Sequence, residues 1–178
     1  MASIWDRMFR AAKLDAQLYE EVEADTDATM QAMTVVVLAA IAAGIGSLGS
    51  GSAGAIVTGT IVSLVGWLVW AFLTYFIGTR LLPEPQTSAD YGELLRTIGF
   101  ASAPGVIRAL GIVPGLGAPL FLIGGIWMLV AMVIAVRQAL DYTSTLRAVG
   151  VCLIGWLVQA VILIFAAQLF GLAQTEPI

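Results

Sequence analysis

The sequence contains no histidine and a single cysteine, Cys152, among its 178 residues. The missing histidine removes the usual zinc, haem and copper ligand sets, the Ser-His-Asp and Cys-His catalytic arrangements, and any imidazole pH switch. One cysteine excludes an internal disulfide and a multi-cysteine metal centre. Charge is also scarce: 11% of the residues are Asp, Glu, Lys or Arg, where a soluble domain carries about 25%. There are 8 bases against 12 acids, the wrong balance for a nucleic-acid surface. What is abundant is apolar, 60% of the residues with a mean hydropathy of +0.95. These values exclude a soluble globule and a disordered chain, and they fit one compact integral membrane domain. Period-two alternation is absent, and the apolar runs are about twice the length of a barrel strand, so the expected class is all-α.

The few charges are unevenly placed. Residues 1–29 hold Arg7, Arg10 and Lys13 against seven acids, a net of −4, and the rest of the chain balances to zero. Three regions are expected: an amphipathic acidic arm at 1–29, a membrane domain at 30–172 and a short tail at 173–178. At 100° per residue, positions 4–22 place Trp5, Met8, Phe9, Ala12, Ala16 and Tyr19 on one face. Asp6, Arg10, Lys13, Gln17, Glu20 and Glu21 fill the other, and only Asp15 and Glu23 intrude on the apolar side. This predicts a helix lying in the membrane interface, with Trp5, Met8, Phe9 and Tyr19 as its anchors. The alternative is a helix packed on the rest of the protein. A cleaved signal peptide is not expected, because the first apolar run begins near Met30 after a net-acidic stretch.

Five apolar stretches approach the roughly 20 residues that a membrane-spanning helix needs. They are 31–48, closed by the Gly-Ser run 47–54; 55–77, ended by the prolines at 83 and 85; 94–113; 116–136; and 148–172. The third is the weakest, since it contains Arg96, Pro104, Arg108 and several glycines, and a re-entrant third segment would leave four spans. Its start is marked by Asp90 and Glu93 in a capping-box spacing. Five spans place Arg7, Arg10, Lys13, Arg80, Arg96, Arg137 and Arg147 on one side and no base on the other. By the positive-inside rule the N-terminus is cytoplasmic and the C-terminus lies opposite, in the cell membrane.

Helices in lipid associate through close packing of small residues. Gly99, Ala103, Pro104, Gly105, Gly111 and Gly115 are the expected packing positions on the third segment. The run from Gly111 to Gly117 is no phosphate loop, because no Lys-Ser/Thr follows it. Trp67, Trp70, Trp127 and Trp156 are expected to pack, with a ligand stack as the alternative. Inside the spans the polar residue of interest is Arg108, with Gln159 and Gln168 as its expected partners beside Ser102 and the carbonyls freed by Pro104 and Pro114. An ionisable residue at that depth is a functional candidate. It either ties the broken third segment to its neighbours or forms a site for an anion or lipid headgroup. Arg96 is expected at the headgroup level beside Glu93, and Cys152 as a neutral thiol deep in a helix.

The stretch Asp90-Tyr91-Gly92-Glu93-Leu94-Leu95-Arg96-Thr97-Ile98-Gly99-Phe100-Ala101-Ser102-Ala103-Pro104 is followed by Ile112-Val113-Pro114-Gly115-Leu116-Gly117, then Trp127, Ala135-Val136-Arg137 and Arg147-Ala148. Across residues 30–172 this resembles the bacterial form of the Yip domain family of integral membrane proteins. The eukaryotic Asp-Leu-Tyr-Gly-Pro signature before the first span is not present; the chain has only Asp90-Tyr91-Gly92, before the third. The resemblance implies a five-span bundle with a cytoplasmic N-terminus. Its eukaryotic members bind prenylated Rab-type GTPases and help shape or traffic membranes, and no GTPase-binding surface is visible here. The expected function is therefore a non-enzymatic scaffold for membrane shaping or trafficking, or an accessory subunit of a larger membrane complex. The expected partners are the bilayer and other membrane chains or a second copy, with no nucleic acid and no cofactor. A small transporter or pore built around Arg108 is the competing expectation.

Overall fold

The computed structural model describes residues 3–48 and 53–169. Residues 49–52 of the expected Gly-Ser link, and the tail at 173–178, lie outside the described residues. Every regular element among the described residues is helical: α1 Ile4–Ala12, α2 Ala16–Ala24, α3 Ala28–Gly46, α4 Ala53–Phe76, α5 Tyr91–Ala101, α6 Gly117–Ala139 and α7 Thr145–Leu169. A π-helical turn at Ile77–Leu81 extends α4, and a 3-10 helix at Ala103–Ile112 extends α5. Among the described residues four helices are long and apolar enough to cross a membrane: Ala28–Gly46, Ile56–Leu81, Gly117–Ala139 and Thr145–Ile162. The expected third span is not among them, because it divides into an α-helical and a 3-10 piece.

The division follows from the sequence at the joint. Pro104 lacks an N–H and sits at the first positions of the 3-10 stretch, and Ser102 closes α5 by donating its N–H to Gly99 O. The two pieces run beside α3 in step. A methyl on Gly99 would stand 2.7 Å from Ala32 Cβ, one on Gly105 3.4 Å from Ala39 Cβ, and one on Gly111 3.1 Å from Gly46 O. Residues 99–111 thus keep level with residues 32–46. The α-helical rise makes that stretch of α3 about 21 Å, and mixed α and 3-10 rises give the facing segment a matching length of about 22 Å. Ala103, Pro104 and Gly105 are buried at the joint. Gly115, expected as a packing glycine, instead has φ +85 with nothing within 4 Å of a Cβ. It turns the chain into α6.

The expected helix over 4–22 is two helices with a break at Lys13–Asp15. Leu14 takes φ 62, and the Asp15 carboxylate caps α2 by accepting from Gln17 N at 3.0 Å. A bulky residue in the left-handed region is strained, and Leu14 is held there by packing against the core. The hairpin folds onto one end of the bundle, the arm end. Met8, Leu18, Tyr19 and Val22 are buried there, whereas Trp5 and Phe9 are 66% and 61% exposed. Of the four expected anchors, two therefore face protein and two face outward.

Arg7 locks the hairpin in place. It is 3% exposed, and it donates to Glu21 Oε1 (3.0 Å), Asp25 Oδ2 (2.7 Å) and Gln31 Oε1 (3.0 Å) at the start of α3. Burial alone would lower its pKa, but the hydrogen bonds and charges of Asp25 and Glu21 outweigh it and hold the guanidinium charged. Arg10 adds bonds to Asp15 (2.8 Å) and Glu21 (2.5 Å). The same end is tied again through Glu84, which accepts from Thr143 Oγ1 (2.7 Å), Thr143 N (3.0 Å) and Gln86 Nε2 (2.6 Å). Those bonds push its carboxyl down to about 2. Tyr142 donates to Leu82 O at 2.7 Å, joining the α4 extension to the α6–α7 turn.

Candidate functional site

The α5 piece begins with a complete capping box. Glu93 N donates to Asp90 Oδ1 at 2.9 Å, and Asp90 N donates to Glu93 Oε2 at 2.7 Å. The box fixes where the helix starts, and hence where Arg96 points. Arg96 turns inward to the end of α2 and makes no bond to Glu93 among the described residues. It is 5% exposed, and it donates to Val22 O at 2.9 Å and to Glu23 O, the carbonyls at the end of α2. Carbonyls at a helix C-terminus lack intrahelical donors and carry the negative end of the helix dipole, so a buried cation there is satisfied. A tertiary contact across 74 residues has no local sequence signal.

Arg108, twelve residues further along, meets the opposite conditions. Its backbone comes so close to α3 that a Cβ on Gly46 would collide with the Arg108 carbonyl. Its side chain lies across two glycines of α6. A Cβ on Gly124 would stand 3.2 Å from Arg108 Cγ and Nε, and one on Gly125 would stand 3.4 Å from Nη2. The guanidinium carbon stands 5.5 Å from the centre of the Phe121 ring, within cation–π range. Among the described residues, Arg108 Nε is buried with no hydrogen-bond partner, and so is Gln159 Oε1. The expected tie from Arg108 to Gln159, Gln168 or Ser102 is not made among the described residues. Gln168 is exposed and lines neither cavity described below.

Arg108 and Gln159 do share an open cavity of about 540 Å³, lined by α3, α4, α6, α7 and the third segment, with Ser63 and Ser102 as further polar lining. Trp67, Trp70 and Trp156 form part of its wall. The indoles of the first two are anchored, Trp67 Nε1 to Leu95 O at 3.0 Å and Trp70 Nε1 to Met132 Sδ at 3.3 Å. Trp127, by contrast, donates to Ala12 O at 2.8 Å and holds the arm hairpin. A second cavity, about 750 Å³ and almost wholly apolar, adjoins the first between α6 and α7. Cys152 lines it. No sequence pattern marked this groove, because its walls are ordinary apolar positions on two different helices.

Chemically, the arrangement offers a buried donor, a buried acceptor and aromatic walls, which suits binding more than bond-making. Among the described residues no three His, Cys, Asp or Glu side chains come together as a metal site. Residues 16–167 match the family model of the Yip1 domain. The match begins at the first residue of α2 and runs into the last turn of α7. No curated protein and no solved structure matches the chain.

Proposed function

This chain belongs to the Yip1 domain family of membrane proteins, and on that premise we propose that it is a non-enzymatic, multi-pass scaffold that shapes the bilayer from its cytoplasmic face. The observation that carries this reading is the arm hairpin. It is bolted to the bundle through the buried Arg7 and presents Trp5 and Phe9 outward, with Lys13 Nζ 4.3 Å from the centre of the Phe9 ring. An apolar pair beside a base suits insertion among headgroups. Because the hairpin is rigidly attached, a wedge driven into one leaflet would be borne by the whole bundle.

Reconstitution of the full chain into liposomes tests this. The wild type should narrow vesicle diameters relative to Trp5→Glu/Phe9→Glu at equal protein-to-lipid ratio. Equal diameters would reject the shaping role and leave an accessory-subunit role in a larger complex.

The proposal includes five crossings with the N-terminus cytoplasmic. The parallel run of residues 99–111 beside α3 supports it. In a Cys152→Ser background, Ser88→Cys and Leu116→Cys should label from opposite sides. Labelling from the same side would mean that the third segment is re-entrant.

A second reading, a small anion transporter, is favoured by one observation, the unpartnered Arg108 Nε in a cavity. It predicts protein-dependent chloride or phosphate flux from loaded vesicles that Arg108→Gln abolishes.

A further inference from the structure

We propose that the bundle binds one phospholipid with an anionic head, the phosphate held at Arg108 and Gln159 and an acyl chain lying in the groove between α6 and α7. This site is independent of the membrane-shaping reading, since none of its residues lies on the arm.

The two cavities are neighbours that share a wall. Trp70, Arg108, Met128, Met132 and Trp156 line both. The first cavity is mostly apolar but admits Ser63, Ser102 and Gln159 beside Arg108; in the second, Arg108 and Thr145 are the polar side chains apart from the two Trp indoles, among residues such as Leu129, Val133, Val149 and Leu153. Their volumes, about 540 and 750 Å³, are each within the range of about 300–1,000 Å³ for small-molecule sites. A small polar cluster around an arginine, beside an apolar groove, has the form of an amphiphile.

The orphaned atoms narrow the head chemistry. Arg108 Nε is a donor and Gln159 Oε1 an acceptor, both buried and both without a protein partner. A ligand completing the site must bring an acceptor oxygen and an O–H or N–H donor, and its negative charge must balance a guanidinium with no acid beside it among the described residues. A phosphodiester bearing a hydroxylated head, as in phosphatidylglycerol, meets all of these. A choline head offers no donor hydrogen and no net charge.

The groove distinguishes a lipid from a free anion. Leu129 and Leu153 line it and are 59% and 57% exposed, so it opens on the surface that faces lipid. It runs along α7 from Trp156 toward Thr145, about 17 Å by the helical rise, long enough to take most of an acyl chain. With the head at Arg108, the chain would point toward the arm end of the bundle.

Native mass spectrometry of the full chain, delipidated and then mixed with equal amounts of phosphatidylglycerol and phosphatidylcholine, tests the site. The wild type should retain one phosphatidylglycerol per chain with about tenfold preference, the factor that one charge-assisted hydrogen bond of about 1.4 kcal/mol confers. Arg108→Gln should bring the preference to parity while Tm in detergent holds, and Arg108→Lys should restore part of it. Val149→Phe, which fills the groove without touching the head site, should release the lipid. Millimolar inorganic phosphate should not displace it. Equal retention of the two lipids by the wild type would overturn the proposal, and that comparison stands even if a variant fails to fold. Displacement by inorganic phosphate would also overturn it, in favour of a small-anion site, as would retention unchanged by both Arg108→Gln and Val149→Phe.

Discussion

Residues 91–101 and 103–112 are consecutive parts of one segment, each with an arginine, and they differ in almost every physical respect. The first part is a regular α-helix with a closed capping box, and Leu94 and the run from Arg96 to Ala101 are buried. Its arginine spends its donors on the Val22 and Glu23 carbonyls. The second part is stretched into a 3-10 helix with Leu110 and Ile112 more than half exposed, and its arginine leaves a buried donor unmatched. An arginine in an apolar segment is therefore no site by itself. A satisfied one is a bolt, and an unsatisfied one asks what else it could bind.

The sharpest break in this comparison should come from the glycines. A side chain at Gly99 meets backbone, Ala32 O at 3.1 Å and C at 3.2 Å, which cannot move aside without shifting α3. At Gly105 the closest obstacle is the Met128 sulfur at 2.7 Å, the far end of a flexible side chain. Gly99→Leu should cost about 3 kcal/mol or more and Gly105→Leu about 1 kcal/mol, read as loss of Tm in detergent. Equal losses would mean that the two halves pack alike.

Next in size is the contrast between the arginines. Arg96→Gln removes charged hydrogen bonds to helix-end carbonyls and should cost about 2 kcal/mol, or roughly 4–8 °C of Tm. Arg108→Leu should leave Tm unchanged or raise it, because it relieves a buried donor without breaking a bond to the protein. This reverses the expectation from sequence, where Gln159 or a freed carbonyl was its partner and the Leu variant would have weakened the bundle. A fall in Tm for Arg108→Leu comparable to that for Arg96→Gln would show that Arg108 holds the bundle after all.

The parts legible in the sequence are those set by local chemistry. Long apolar runs placed α3, α4, α6 and α7 to within a few residues, and Asp90 with Glu93 marked the start of α5. The arm was legible as amphipathic but not as a hairpin. Its break had a trace, since Asp15 was one of two acids that spoiled the apolar face, and it is the residue that caps α2. Leu14 at positive φ had none, because its strain is offset only by tertiary packing. The 3-10 stretch had a cue in Pro104, yet the winding beyond it depends on keeping level with α3. Which arginine would be satisfied was not legible, because the deciding carbonyls belong to α2.

The smallest expected effect concerns the other acid that spoiled that face, and it tests whether the α5 end is as well satisfied as the comparison holds. Glu23 gives its backbone carbonyl to Arg96, but its carboxyl Oε2 is buried without a partner among the described residues. Burial pushes the carboxyl up to about 8, and the nearby charges of Glu93, Glu20 and Asp141 reinforce this against the opposing pull of Arg96. Between its ordinary value near 4.5 and about 8, the folded chain keeps a proton that the unfolded chain has lost. Stability must therefore fall as pH rises through that window. The pull is opposite for Asp15, Glu21 and Asp25, whose carboxyls are lowered by Arg10 and Arg7 and whose contribution is lost only in acid. Glu23→Gln should flatten the decline between pH 5 and 8 and raise Tm at pH 8 by about 2–4 °C, the equivalent of about 1 kcal/mol. At pH 5 the two proteins should melt together. If the variant instead melts lower at pH 8, the Glu23 carboxylate is charged and paired, and the arm end has a further ion pair in place of an orphaned acid.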